Sequence, residues 1–195
     1  MTAVIYALGV YLLGSIPFAI LVSRAMGLAD PRTYGSGNIG ATNVLRSGNR
    51  RAALLTLAGD TVKGWIAVLA AKLLGASVEI VALVAFCAFL GHVFPVWLRF
   101  RGGKGVATAA GVLIAIDWQL GLATFVVWLA VAAAARYASL ASIVAALFAP
   151  AGTWYLFGTG PLLYGVIAMS ALLILRHRVN IAKLARGEES RIGRV

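Results

Sequence analysis

Apolar residues occupy this chain in long blocks, at about 3–23, 52–74, 78–98, 105–116, 118–135, 138–157 and 160–175, separated by short polar segments. An α-helix rises about 1.5 Å per residue, so about 20 residues cross the hydrocarbon core of a bilayer. Most of the blocks meet that length and predict membrane-spanning helices. The block 105–116 is short. Residues 105–135 form either one overlong helix interrupted at Asp117-Trp118-Gln119 or two spans, the first of them short.

The distribution of charge decides between these. With two spans, segments 24–51, 99–104, Arg136 and 176–195 share one side and hold 15 of the 17 Lys and Arg residues. With one span, Arg136 and the six bases of the tail move to the other face. Cytoplasmic loops carry the excess of Lys and Arg, so two spans are expected. The predicted fold is an all-α polytopic membrane bundle of seven transmembrane helices, the fourth short. Its N-terminus lies outside and its C-terminus in the cytoplasm. A short fourth helix spans only in part, or tilts with local thinning of the bilayer. Pro95 is expected to kink the third helix. The N-terminal block has no basic segment before it and no A-x-A-like site after it, so it reads as a retained span.

Composition agrees. The 195 residues are 62% hydrophobic and 12% charged, with mean hydropathy +0.94, whereas soluble domains are about half apolar and about a quarter charged. The length fits a single integral membrane domain, 1–195. The formal net charge of +11 lies mostly at one interface, where it sets topology and attracts anionic lipid, and no nucleic-acid partner is expected. The lone Cys87 reads as a small buried hydrophobe, and no metal site is expected.

Charge alone does not explain why the glycine-rich segments lie on the same side. GSGNIGATNVLR (35–46) contains G-x-G-x-x-G at Gly35, Gly37 and Gly40, with Asp60 twenty residues beyond. That spacing is the dinucleotide fingerprint, but the fingerprint needs a βαβ unit, and apolar helices on both sides leave no room for one. Asp60 pairs more naturally with Lys63 on its own helix, or with another polar group in the bundle. The anion chemistry survives: glycines let amides approach a phosphate. Ser36, Asn38, Thr42 and Asn43 add donors, and Arg46 adds charge. The ordinary alternative is a polar turn capping the next helix.

FRGGKGVAT (100–108) is not a Walker loop, because Lys104 is followed by Gly105. Gly102, Gly103 and Lys104 at a helix N-terminus still suit an anion, with a simple membrane anchor as the alternative. HRVNIAKLARGEE (177–189) places His177 and Asn180 on one face if helical, the alternative being a solvated basic tail. His92 reads as a bundle residue outside the site. Together the segments suit a ligand with two phosphates, or two phosphorylated ligands.

These three segments, in this order and all on one face, resemble the signature motifs of the bacterial acyl-phosphate:glycerol-3-phosphate acyltransferases, the PlsY family. The resemblance covers essentially the whole chain. It implies a seven-helix bundle around a cytoplasm-facing cavity in the bacterial inner membrane. It also implies transfer of a fatty acyl group from acyl phosphate to the sn-1 hydroxyl of glycerol 3-phosphate, with no cofactor. The H-x-x-x-x-D dyad of the other acyltransferase family known for this step is missing, since Trp97 follows His92 and Ala182 follows His177 at that spacing.

On this reading Ser36, Lys104, His177 and Asn180 carry the catalysis. Gly35, Gly37, Asn38, Thr42, Asn43, Arg46, Gly102 and Gly103 bind substrate, and by resemblance Ser142 and Glu188 complete the pocket. The acyl tail lies among the apolar helices, in contact with membrane lipid. A soluble enzyme that makes acyl phosphate is a candidate partner for the basic face. A carrier of organic phosphates is the competing reading, although the motifs gather at one interface rather than at the bilayer midplane and no inverted repeat is visible.

Overall fold

The computed structural model describes residues 2–193, and every regular element in that range is helical. Arg194, counted above with the basic tail, lies outside the described residues. Helices α1 (Thr2–Gly14) and α2 (Phe18–Ala25) occupy the first apolar block. Helix α3 (Ala41–Leu45) is a single turn in the long polar loop that follows. The remaining blocks form α4 (Arg50–Leu73), α5 (Val78–Val93), α6 (Val106–Ile116), α7 (Trp118–Ala135), α8 (Ala138–Phe157) and α9 (Pro161–Arg176). Helix α10 (Arg178–Ala185) opens the basic tail.

Among the described residues, four helical stretches are long and apolar enough to cross a membrane, and six are if each of two bent pairs counts as one span. The chain is a membrane protein. Its outer surface is accordingly apolar, with Leu122, Phe125, Val126 and Leu129 of α7 all exposed. Cys87, read from the sequence as a small buried hydrophobe, is partly buried.

Three breaks in the helices shape the molecule, and each has a local cause. Between α1 and α2 the chain bends by 44°. Pro17 cannot donate to the preceding turn and its ring obstructs it. The Ile16 carbonyl at the break accepts a hydrogen bond from Lys63 Nζ at 2.8 Å.

The second break corrects an expectation. Pro95 does not kink the third helix; α5 ends at Val93. Phe94 leaves the α region, with φ −128° and ψ 63°, as a residue before proline tends to. The chain then makes a short 3-10 turn, Val96–Leu98, and Arg99 and Phe100 follow in the left-handed region at φ 51° and 62°.

The third break is at Asp117, which separates α6 from α7 in extended conformation. Its carboxylate accepts the N–H groups of Gln119 at 2.8 Å and Leu120 at 3.0 Å, capping α7. The carbonyls that end α6 are also satisfied: Lys72 Nζ donates to Ala115 at 2.9 Å and Ile116 at 2.8 Å. An 11-residue helix is about 16 Å long, well short of a bilayer core. It can stop where it does because Lys72 and Asp117 cover both sides of the break.

The bundle is centred on α5, which packs against α1, α4, α6 and α9, while α7 pairs with α8 and α8 with α9. Phe89, Val93, Val112, Leu120 and Val166 fill the core. The most extensively packed pair, α4 and α6, needs Gly111: a Cβ there would collide with the Thr61 carbonyl. Inside this core sit three charged or ionisable side chains, Asp60, Lys63 and His92, at 2%, 3% and 5% exposure. Asp60 Oδ1 lies 2.8 Å from Lys63 Nζ and 3.4 Å from His92 Nδ1. Asp60 therefore pairs with Lys63 as its spacing predicts and does not join the glycine loop.

Candidate active site

The first glycine segment is wound around one side chain. Asn43, on α3, is 2% exposed. Its Oδ1 accepts the Ser36 amide at 2.8 Å and the Ser36 hydroxyl at 3.2 Å. Its Nδ2 donates to the carbonyls of Pro31 at 2.6 Å and Tyr34 at 3.3 Å. Asn43 is thus fully used in holding the loop and does not offer a free donor to a ligand, contrary to expectation. The loop can wind so tightly because Gly35 and Gly37 take positive φ, 60° and 66°. Ile39 and Val44 pin it from below by packing with Ala19, Ala52 and Ala53. What remains presented to solvent is the exposed Ser36 and Thr42, the partly buried Asn38, and the exposed Arg46.

The second segment corrects another expectation. The N–H groups of Gly102 and Gly103 are not free: they donate to Val93 O and His92 O, each at 3.2 Å. The available amides are those of the first turn of α6, which have no intrahelical partner. Lys104 reaches across to the tail, where its Nζ donates to Asn180 Oδ1 at 2.5 Å. Burial is the main force on its ammonium, and the nearby Arg176, Arg46 and Lys183 add to it while Glu189 opposes. The result is a pKa lowered to about 8.

The tail supplies the rest. His177 lies at the junction where α10 bends away from α9 by 55°. It is buried, and its Nδ1 lies 2.8 Å from the Leu173 carbonyl. Burial lowers its pKa to about 4; the Leu173 hydrogen bond and Glu189 oppose, and the charges on Lys104 and Arg176 add to the shift. A neutral ring must donate from Nδ1 to that carbonyl, which leaves Nε2 as an acceptor.

Asn180 faces the same space from α10. Its Nδ2 donates to Glu189 Oε1 at 2.7 Å, and the same oxygen accepts the Ser139 hydroxyl at 2.7 Å. Arg46 Nη2 donates to Ser190 Oγ at 2.5 Å. Lys104, Asn180, Glu189 and Ser139 therefore form one hydrogen-bonded chain joining the second segment, the tail and α8, and Arg46 ties the first segment to the same tail through Ser190.

Two expected members lie outside this chain. Glu188 is exposed and pairs with Arg186 at 2.9 Å. The turn at Gly187 sends Glu188 outward and Glu189 inward. Ser142 is buried, donates to Ala138 O at 2.8 Å and accepts from Trp128 Nε1 at 3.1 Å. Ser139, three residues earlier on α8, is the serine that joins the chain, through Glu189. Arg176, outside the residues the sequence singles out, also reaches the second segment. Its Nη2 donates to Gly102 O at 2.9 Å and its Nε to Gly103 O at 3.3 Å. Two adjacent glutamates, or two serines on one helix, cannot be told apart by sequence before the turn geometry is known.

Comparison with known proteins supplies an independent line. The family model described as glycerol-3-phosphate acyltransferase matches residues 4–187. A glycerol-3-phosphate acyltransferase of Ralstonia nicotianae is 60% identical over 194 residues, covering 97% of this chain and 94% of its own. Another, of Burkholderia thailandensis, is 63% identical over 186 residues, covering 94% of this chain and 92% of its own. Two crystal structures of PlsY, an integral membrane glycerol 3-phosphate acyltransferase, superpose on the whole fold. Its glycerol 3-phosphate form has TM-score 0.93 at 39% identity, and its lysophosphatidic acid form 0.91 at 38%. Each covers 99% of this chain and 96% of its own.

Proposed function

This chain belongs to the PlsY family of integral membrane glycerol-3-phosphate acyltransferases, and from that premise we propose that it moves a fatty acyl group from acyl phosphate to the sn-1 hydroxyl of glycerol 3-phosphate. The products are lysophosphatidic acid and inorganic phosphate, and the reaction serves phospholipid synthesis. The site faces the cytoplasm from a seven-span bundle in the inner membrane, with the N-terminus outside. The acyl tail runs down between apolar helices, where each buried methylene contributes about 0.8 kcal/mol.

The observation that supports this most directly is the chain Lys104–Asn180–Glu189, with neutral His177 beside it. Lys104 and Arg46 are the cations that suit a phosphate. His177 suits a hydroxyl, because an uncharged ring with a free Nε2 accepts an O–H and brings no positive charge to a phosphate. In the reaction the sn-1 oxygen attacks the acyl carbonyl, the bond between the acyl carbon and the phosphate oxygen breaks, and phosphate leaves. The hydroxyl proton passes to His177 Nε2 or to a phosphate oxygen. An acyl phosphate is a mixed anhydride with a good leaving group. Positioning, a set of donors for the oxyanion and a cation for the departing phosphate therefore carry most of the catalysis. Thr42, with nearby amides of the first loop, fills the donor role, and Ser36 joins it by turning its O–H away from Asn43 Oδ1.

Direct transfer is favoured over an acyl-enzyme. A nucleophilic serine needs a base to take its proton, and the Ser36 hydroxyl is paired instead with the Asn43 amide oxygen, which is not basic. The test is purified protein in detergent given an acyl phosphate and glycerol 3-phosphate. Lysophosphatidate must form without any membrane compartment, which no carrier would achieve. Ser36→Ala should lose most turnover. A burst of phosphate released without glycerol 3-phosphate would instead establish the acyl-enzyme, and absence of product would sink the enzymatic reading.

A further inference from the structure

Lys104 must be held still to serve a phosphate, yet Gly102 and Gly103 before it have no side chains to anchor. Their backbone is gripped from two sides. On one side the end of α5 accepts both amides, at Val93 O and His92 O, each 3.2 Å. The His92 ring lies flush against Gly103, where a Cβ would collide with its Nε2. On the other side Arg176 donates to both carbonyls, at 2.9 Å to Gly102 and 3.3 Å to Gly103. Its guanidinium also rests 5.8 Å from the centroid of the Phe94 ring, a cation–π distance that steadies it.

An arginine in the last turn of a helix ordinarily serves its own helix dipole. Arg176 ends α9 but spends two guanidinium nitrogens on another element. It is also the residue immediately before His177, so its backbone carries one proposed site residue while its side chain fixes the turn bearing another. We infer that Arg176 is a positioning residue: its planar fork clamps the Gly102 and Gly103 carbonyls and so sets Lys104 against Asn180 and at a fixed distance from His177. The inference rests on the reading of Lys104, His177 and Asn180 as substrate-binding groups.

The arrangement separates geometry from charge. Lysine in place of Arg176 keeps the charge but cannot reproduce a planar fork of donors. Glutamine removes the charge. The charged groups acting on Lys104 are Glu189, Arg176, Arg46 and Lys183, from the tail, α9, the first loop and α10. Loss of the Arg176 charge removes one of the three cations that oppose its protonation.

The test uses the full-length wild type, Arg176→Lys and Arg176→Gln in lipid nanodiscs. Steady-state kinetics with acyl phosphate and glycerol 3-phosphate give KM and kcat. A brief pulse of acetic anhydride across the pH range, read by mass spectrometry at Lys104, gives that amine's own titration midpoint. Arg176→Gln should raise KM for glycerol 3-phosphate about tenfold, the size of one lost charge-assisted hydrogen bond, and move the Lys104 midpoint to higher pH. Arg176→Lys should raise KM several-fold with the midpoint near that of the wild type. An Arg176→Gln protein with wild-type KM and midpoint would overturn the inference, as would an Arg176→Lys protein with wild-type KM. Should the glutamine variant fail to fold, the lysine variant decides. If the wild type makes no lysophosphatidate, acyl transfer is what fails, and the labelling midpoint still decides whether Arg176 governs Lys104.

Discussion

Glu188 and Glu189 are neighbours of identical chemistry, and the fold assigns them opposite consequences. Glu189 accepts hydrogen bonds from Asn180 and Ser139 on a single oxygen. Removing the carboxylate leaves the Asn180 amide without its acceptor and frees it to rotate away from Lys104. A hydrogen bond to a charged group contributes about 1.5–3 kcal/mol. The site is partly open to water, so the lower end applies to each bond, and the two together suggest about 2–3 kcal/mol. That corresponds to a loss of about 30- to 150-fold in kcat/KM for Glu189→Ala, since about 1.4 kcal/mol is tenfold. Glu188→Ala breaks one exposed ion pair with Arg186, of a kind that contributes about 0–1 kcal/mol, and should leave turnover within about twofold. The assay is lysophosphatidate formation by each purified variant, with thermal unfolding in the same detergent to score the folded fraction. Equal losses in the two variants, or wild-type turnover by folded Glu189→Ala, would refute the assignment.

Other outcomes follow from the same geometry. Activity in the free enzyme should fall as pH rises through about 8, where Lys104 loses its proton, and Lys104→Ala should abolish that limb along with most turnover. His177 titrates at about 4 in the folded protein, below its ordinary value. The unfolded chain therefore binds that proton first, and stability should decline as pH falls from about 6.5 toward 4; thermal unfolding of His177→Gln should be flatter over that window. Asp117→Ala removes the cap of α7 and should lower stability by about 1 kcal/mol, read as a lower melting temperature, with KM unchanged because Asp117 lies at the far end of α6 from Lys104.

Part of the proposed site is legible before folding. Glycine, lysine, histidine and asparagine at these spacings on one face pointed to phosphate chemistry, and Lys104, Asn180, His177 and Arg46 are indeed gathered by the fold. The errors share a physical origin. Gly102 and Gly103 looked like amide donors because sequence does not reveal that the carbonyls ending α5 stand within reach. Asn43 looked like a ligand because an asparagine that binds and one that winds a loop are the same residue. Pro95 predicts a kink, but Phe94 leaves the α region and the helix ends outright. Arg176 escaped notice because an arginine at a helix end has an ordinary explanation that only the direction of its side chain overrules.

The sequence by itself determined what depends on composition and order along the chain. These are the apolar blocks and hence the helices, the break at Asp117, the Asp60–Lys63 pair three residues apart, and the confinement of base and glycine to the same loops. Such features are local, or are sums over many residues, so they survive without knowledge of distant neighbours. The tertiary structure decided which of several equivalent groups joins the hydrogen-bonded chain at the proposed site, Glu189 over Glu188 and Ser139 over Ser142, and it brought Arg176 to a turn 74 residues away in sequence. Those choices hang on the direction of a turn or the rotation of a helix about its axis. Packing across the bundle fixes both.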